Sequence, residues 1–153
     1  MARATLNDML SGSIQRCLKG KRVVVELSSE IKEEYEYEDS NMLYVGIYNL
    51  VSETKDYRGN DIKLVTRVDE GKEIVELFSS GSPLPAHTVS YLNRCYERGR
   101  KLATCPTSQG SEIAAYHLSK CGAAVSIENT GEPIYTVKNK IIFGEKVCKT
   151  GAA

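Results

Sequence analysis

The stretch that decides the fold is "IVELFSSGSPLP", Ile74 to Pro85. A run of β-branched and large apolar residues stops at two serines and a glycine, then meets Pro83 and Pro85. This is the pattern of a buried strand running out into a loop, since proline has no N–H to give a sheet ladder. Upstream, "IKLVTRV" sets Ile62, Leu64, Thr66 and Val68 on one side against Lys63, Val65 and Arg67, and "DEG" (69–71) makes a hairpin turn. Two antiparallel neighbours are therefore expected. Downstream, "PAHTVSYLNRCYERGRKLA" (85–103) reads as an amphipathic helix with Pro85 near its first turn.

Working outward, Leu6, Met9, Leu10, Ile14, Cys17 and Leu18 recur at helical spacing over residues 3–18, and the Lys19–Gly20 pair ends that helix. "RVVVEL" (22–27) is a β-branched strand. The segment after it carries six acids between Glu30 and Asp39, an exposed loop or hairpin continuation whose acids are not spaced around a calcium-type turn. "DSNMLYVGIYNLVSETKDY" (39–57) is the clearest helix: Asp39, Ser40 or Asn41 can cap it, and Leu43, Ile47, Leu50, Val51 and Thr54 share one face. "SEIAAYHLSKCG" is a further helix begun by Ser111 and stopped by Gly122, with Ile113, Ala114, Leu118 and Cys121 as its apolar stripe. "AAVSIEN" and "IYTVKNKIIFG" are closing strands around a "TGEP" turn.

The resulting order is helix, strand, helix, strand, strand, helix, helix, strand, strand. It predicts an α+β two-layer sandwich: one mixed, mainly antiparallel sheet with helices on one face, plus an N-terminal helix. The domain reading is an N-terminal amphipathic helix over 1–20 and a single domain over 21–148.

Composition narrows the function. Twenty basic residues balance twenty acidic ones in the 153-residue chain, so no global field favours nucleic acid or an anionic membrane. The apolar runs are too short to span a bilayer, and "MARATLNDML" lacks the apolar core of a secretion signal. The five cysteines (Cys17, Cys95, Cys105, Cys121, Cys148) form no C-x-x-C pair, which argues against a zinc site or a disulfide scaffold and for a reducing, cytoplasmic compartment. Neither a G-x-S-x-G elbow nor a glycine-rich P-loop is present.

Four stretches, "LYVGIYNLVSETKDY", "IVELFSSGSPLP", "TSQGSEIAAYHLSKCGAAVSIEN" and "NKIIF", together resemble the ATPase domain shared by histidine kinases, gyrase B, Hsp90 and the MutL repair proteins. The likeness is greatest to the histidine-kinase catalytic domain and covers roughly residues 21–143. Leu43, Ile47, Asn49, Leu50, Val51, Lys55 and Tyr57 follow the first family motif, L-x-x-x-L-x-N-L-L-x-N-A-x-K-Y. Gly81, Leu84 and Pro85 follow the second, I-x-V-x-D-N-G-P-G-I-P. Gly110, Ile113, Leu118, Gly122, Val125 and Ile127 follow the third. The resemblance implies the Bergerat-like version of the sandwich predicted above.

The polar positions depart from the family. Where the resemblance implies a magnesium-holding asparagine, the chain has Glu53, an oxygen ligand that could still hold the ion. Where it implies an aspartate that accepts the adenine amino proton, the chain has Ser79. Pro83 replaces a glycine of the nucleotide lid, and only Gly110 remains of the glycines that admit phosphate to a helix start, beside Ser108. A hydrogen bond to a charged group contributes about 1.5–3 kcal/mol, so losing the aspartate alone weakens binding by roughly one to two powers of ten.

The leading expectation is thus a non-catalytic signalling or regulatory module, a degenerate histidine-kinase-like ATPase domain with no cofactor. Its partner would be a protein, such as a response regulator or a kinase, with no nucleic acid and no membrane; a second copy docking through the N-terminal helix is a further reading. Partner contact would use Arg94, Arg98 and Lys101, which line one side of the 86–103 helix. One alternative is an active ATP-dependent histidine or serine kinase, similar to anti-sigma kinases. In it Asn49, Glu53, Ser79, Gly81 and Gly110 bind nucleotide and Glu53 carries magnesium. A second alternative is a histidine phosphotransfer protein with His87 as phosphoacceptor. Neither His87 nor His117 has the neighbouring acid typical of such residues.

Overall fold

The computed structural model describes residues 3–107 and 109–144, except for the side chains of residues 13 and 36–41. Ser108 and the expected domain end at 148 lie outside the described residues. Five strands form the main sheet in the order β2 (Arg22–Glu26), β4 (Asp61–Asp69), β5 (Lys72–Ser79), β7 (Val137–Phe143), β6 (Ala123–Asn129). Only β2 and β4 run parallel; every other neighbouring pair is antiparallel. The parallel pair follows from the connection between them, a long crossover containing helix α2 (Tyr37–Tyr57). The β4–β5 hairpin turns on Glu70 and Gly71 with φ of 52° and 77°, the mirror-image turn that matches strand twist.

Register places Leu64 opposite Leu77 and Val75 opposite both Thr66 and Ile141, so one sheet face is largely apolar, with Thr66, Ser79 and Asn139 as buried polar positions on it. Against it pack α2, α3 (Ala86–Arg100) and α4 (Gly110–Lys120). Leu43, Ile47, Leu50, Val51 and Thr54 are all buried, so the stripe read from the sequence is the face α2 gives to the core. The helices cross closely because glycines stand at the crossings. A Cβ on Gly46 would lie 2.6 Å from Leu118 Cγ, and one on Gly99 would lie 2.4 Å from the Glu112 carbonyl oxygen.

Three boundaries differ from the sequence reading. Helix α2 begins at Tyr37, ahead of Asp39, Ser40 and Asn41, so those residues lie within it and do not cap it. Ser111 does not cap α4 either; Gln109 is the cap residue, and Ser111 is buried inside the first turn. Strand β7 starts at Val137, three residues later than expected, because Thr130 Oγ1 donates to the Tyr135 carbonyl and holds residues 130–135 in a turn. Two short strands were not anticipated: β1 (Arg3–Ala4) pairs with β3 (Tyr35–Glu36) and ties the start of the described chain to the entry of α2.

The N-terminal helix, α1, runs as Leu6–Met9, a wider π-helical turn Leu10–Ile14, and Gln15–Cys17. Thr5 and Asp8 form a reciprocal capping box at its start. Its apolar side chains Leu6, Leu10 and Ile14 belong to the same hydrophobic core as the sheet. A polar bridge fixes it further: Asn7 donates to the Ser28 carbonyl at 2.8 Å and accepts from Thr66 Oγ1 at 2.9 Å. No helix of the described residues is long and apolar enough to cross a membrane.

Candidate functional site

Helix α2 ends where strand β5 ends, and between them opens a cavity of about 390 Å³. Its walls come from α2 (Leu50, Glu53, Thr54), from Leu84 before α3, from Leu92 and Tyr96 of α3, and from Ile127 and Val137 of the last strands. The volume falls in the range of small-molecule sites. Two charged side chains enter it, Glu53 and Arg58.

Arg58 follows directly on α2, its N–H still bonded to the Thr54 carbonyl at 3.0 Å. Its Nε donates to Ser79 Oγ at 3.0 Å, one terminal nitrogen to the Ser82 carbonyl at 2.7 Å, and the other to Thr136 Oγ1 at 2.8 Å. Thr136 passes its own proton to the Gly81 carbonyl at 2.7 Å. Gly81 has φ of +119°, a backbone that side-chain-bearing residues rarely adopt, and a Cβ there would press within 3.4 Å of the guanidinium carbon. All three acceptors of Arg58 are neutral oxygens. Burial therefore pulls its pKa down with no carboxylate to restore it.

Glu53 lies on the same helix and meets the first turn of α4. A Cβ on Gly110 would stand 2.1 Å from Glu53 Oε1, so the carboxylate fills the space that this glycine leaves open. Burial raises the Glu53 pKa, and a hydrogen bond with Ser111 opposes that rise. Next to it, buried Tyr96 accepts from Asn139 Nδ2 at 3.0 Å; burial pushes its phenol well above the usual range.

The loop over the cavity is short and bolted down. Only residues 80–85 separate β5 from α3. Leu84 exchanges both of its backbone hydrogen bonds with the Asn129 side chain at 2.9 Å. The Asn93 amide does the same for Ile127, bonding its N–H at 3.0 Å and its carbonyl at 2.9 Å, and so fastens α3 to the edge strand β6.

Compared with solved structures, the chain matches a mycobacterial sensor histidine kinase, MprB, with TM-score 0.70, 14% identity, and coverage of 95% of this chain and 99% of that one. It matches the catalytic domain of histidine kinase ThkA with TM-score 0.62, 14% identity and 95% of each chain. This chain has the histidine-kinase catalytic-domain fold. A blue-light activated histidine kinase from Erythrobacter litoralis aligns through its kinase domain at TM-score 0.58 and 12% identity, over 88% of this chain and 57% of that one. No protein-family model and no curated protein matches the chain.

On this histidine-kinase fold, the residues singled out from the sequence separate into two groups. Glu53 and Ser79 line the cavity, and Gly81 and Gly110 sit against the charged groups that enter it. Asn49 does not line it; its amide donates to the Val45 carbonyl one turn back at 2.8 Å. His87 is exposed on the first turn of α3, away from the cavity walls, whereas His117 is half-buried with Nδ1 at 2.9 Å from the Ile113 carbonyl. Of the basic line on α3, Arg98 is held by Glu112 at 2.6 Å and Lys101 by Glu97 at 3.6 Å, while Arg94 is exposed. The described residues contain no cluster of three or more histidine, cysteine or acidic side chains fit to hold a metal ion.

Arg58 is the residue that sequence reasoning missed. In "KDYRGND", a cation directly after the helix whose face lines the site was the available signal. The serine oxygen accepts from Arg58 Nε, so this corner of the cavity holds a positive guanidinium and an uncharged hydroxyl at the place where the family resemblance implies a carboxylate acceptor.

Proposed function

We propose that the chain is a non-catalytic signalling or regulatory module, built on a histidine-kinase-like fold that does not use ATP, and that it acts by binding a protein partner. The observation that carries this reading is the Arg58 tie across Ser79, Ser82 and Thr136. An adenine amino group brought there would meet a serine oxygen already engaged by Arg58 and the positive guanidinium beside it, in place of the carboxylate acceptor that the resemblance implies. At the other end Glu53 occupies the space over Gly110 where a helix start would receive phosphate, and like charge opposes a nucleotide there. The pinned loop supports the same reading, because Leu84 is fixed by the Asn129 amide and Pro83 stiffens the step before it. The accessible contact surface is the outer side of α3 with Arg94.

The test is phosphoryl chemistry. Incubated with γ-labelled ATP and magnesium, the protein is expected to gain no label and release no phosphate. Steady turnover, or label on His87 or a serine, would overturn the proposal in favour of a kinase.

A further inference from the structure

We infer that the cavity between α2 and the end of β5 is a binding site for a small organic carboxylate, with Arg58 as its anchoring cation. The inference rests on the reading above, that the site no longer takes ATP, and names what it takes instead.

Three observations converge on an anionic oxygen at this end of the cavity. The Arg58 guanidinium carries five N–H groups, of which three are used, all by uncharged oxygens. Its charge is thus held in place, half-buried, with no carboxylate among the described residues as its partner. Ser79, 3% exposed, accepts from Arg58 Nε through its oxygen, which leaves its own O–H to donate. A carboxylate placed there would receive the two remaining guanidinium N–H groups or the serine proton, the charge-assisted geometry at which arginine excels.

The rest of the cavity sets the body of the ligand. Leu50, Leu84, Leu92, Ile127 and Val137 give apolar walls, so a flat or branched hydrocarbon body fits against them. Glu53 stands five residues before Arg58 on a continuous helical ladder, a rise of about 7.5 Å. It therefore repels a second anion at the far end. A ring-bearing monocarboxylate satisfies these constraints, and a nucleoside triphosphate does not.

Benzoate, its uncharged counterpart benzyl alcohol, and adenosine are the probes, each titrated into isotope-labelled protein and followed by amide NMR shifts. Benzoate is expected to saturate shifts at Ser79, Gly81, Leu84 and Thr136, with benzyl alcohol at least tenfold weaker. Arg58→Gln should weaken benzoate at least tenfold, the scale of one charge-assisted hydrogen bond, and leave benzyl alcohol unchanged. If circular dichroism shows that variant unfolded, Ser79→Ala supplies the check, since it keeps the arginine and removes one donor. Benzoate and benzyl alcohol binding equally, benzoate shifting residues elsewhere, or no saturable benzoate binding would each overturn the inference while leaving the proposed function in place. Adenosine displacing benzoate from the cavity would overturn both.

Discussion

The two faces of the sheet treat charge in opposite ways. On the face turned away from the helices, ion pairs run across the strands: Arg67 Nε meets Glu76 at 2.9 Å, Lys138 bridges Glu76 at 3.3 Å and Glu128 at 3.1 Å, and Arg22 grips Asp61 at 2.7 Å. On the helix side, Arg58 and Glu53 enter one cavity and neither has an opposite charge as its partner among the described residues. The carboxylates record the difference. Burial pushes Glu76 up, yet Arg67 and Lys138 together outweigh it and hold the acid below its ordinary range. Glu53 has burial and only a serine against it, and its pKa rises. Charges that serve the fold are neutralised in place, whereas charges left unneutralised in a cavity mark the place where something else can bind.

Breaking the paired face gives the largest effect. Glu76→Ala removes an acid that is 6% exposed and leaves Arg67 with Asp69 and Lys138 with Glu128 as remaining partners, so unfolding in urea is expected to show a loss of about 1–3 kcal/mol. Arg58→Met does the contrary experiment. It deletes three hydrogen bonds but also relieves an uncompensated charge, and the net loss by the same measurement is expected to stay under about 1 kcal/mol. Glu53→Gln has an effect that depends on pH. The raised pKa of Glu53 means its stabilising protonated form is fully present below the ordinary carboxylate value of 4.5 and lost as pH rises through the folded value. Thermal melts are thus expected to show the glutamine variant more stable than the parent at pH 7 and equal to it near pH 4. For Glu76 the depressed pKa gives the opposite course, stability present above 4.5 and lost as pH falls through the folded value. Smallest of all is Arg22→Ala: its pair with Asp61 sits in solvent, and no resolvable change in melting temperature is expected at physiological salt.

Much of the frame was legible because burial writes itself into period. The α2 stripe and the β4–β5 hairpin show as spacing, and the core holds them where expected; on α4 it holds Ala114, Leu118 and Cys121 but takes Ala115 in place of Ile113. The short pair β1–β3 was not legible, since two-residue strands leave no alternation to read. The start of α2 was missed because Glu36 and Tyr37 look like the acidic loop that precedes them. In the site, Glu53 and Ser79 were found through motif positions, while Arg58 was not. Its role depends on Ser82 and Thr136, which lie 24 and 78 residues away and which no local pattern joins to it. Asn93 and Asn129 were invisible for the same reason: a side-chain amide that mimics a strand partner has no sequence signature.

The central claim is that the ATPase frame persists here around a cavity that does not accept adenine. Isothermal titration of the intact protein with ATP and magnesium tests it most directly. The account predicts no saturable heat up to millimolar nucleotide. A dissociation constant in the micromolar range, lost on Glu53→Ala, would contradict it.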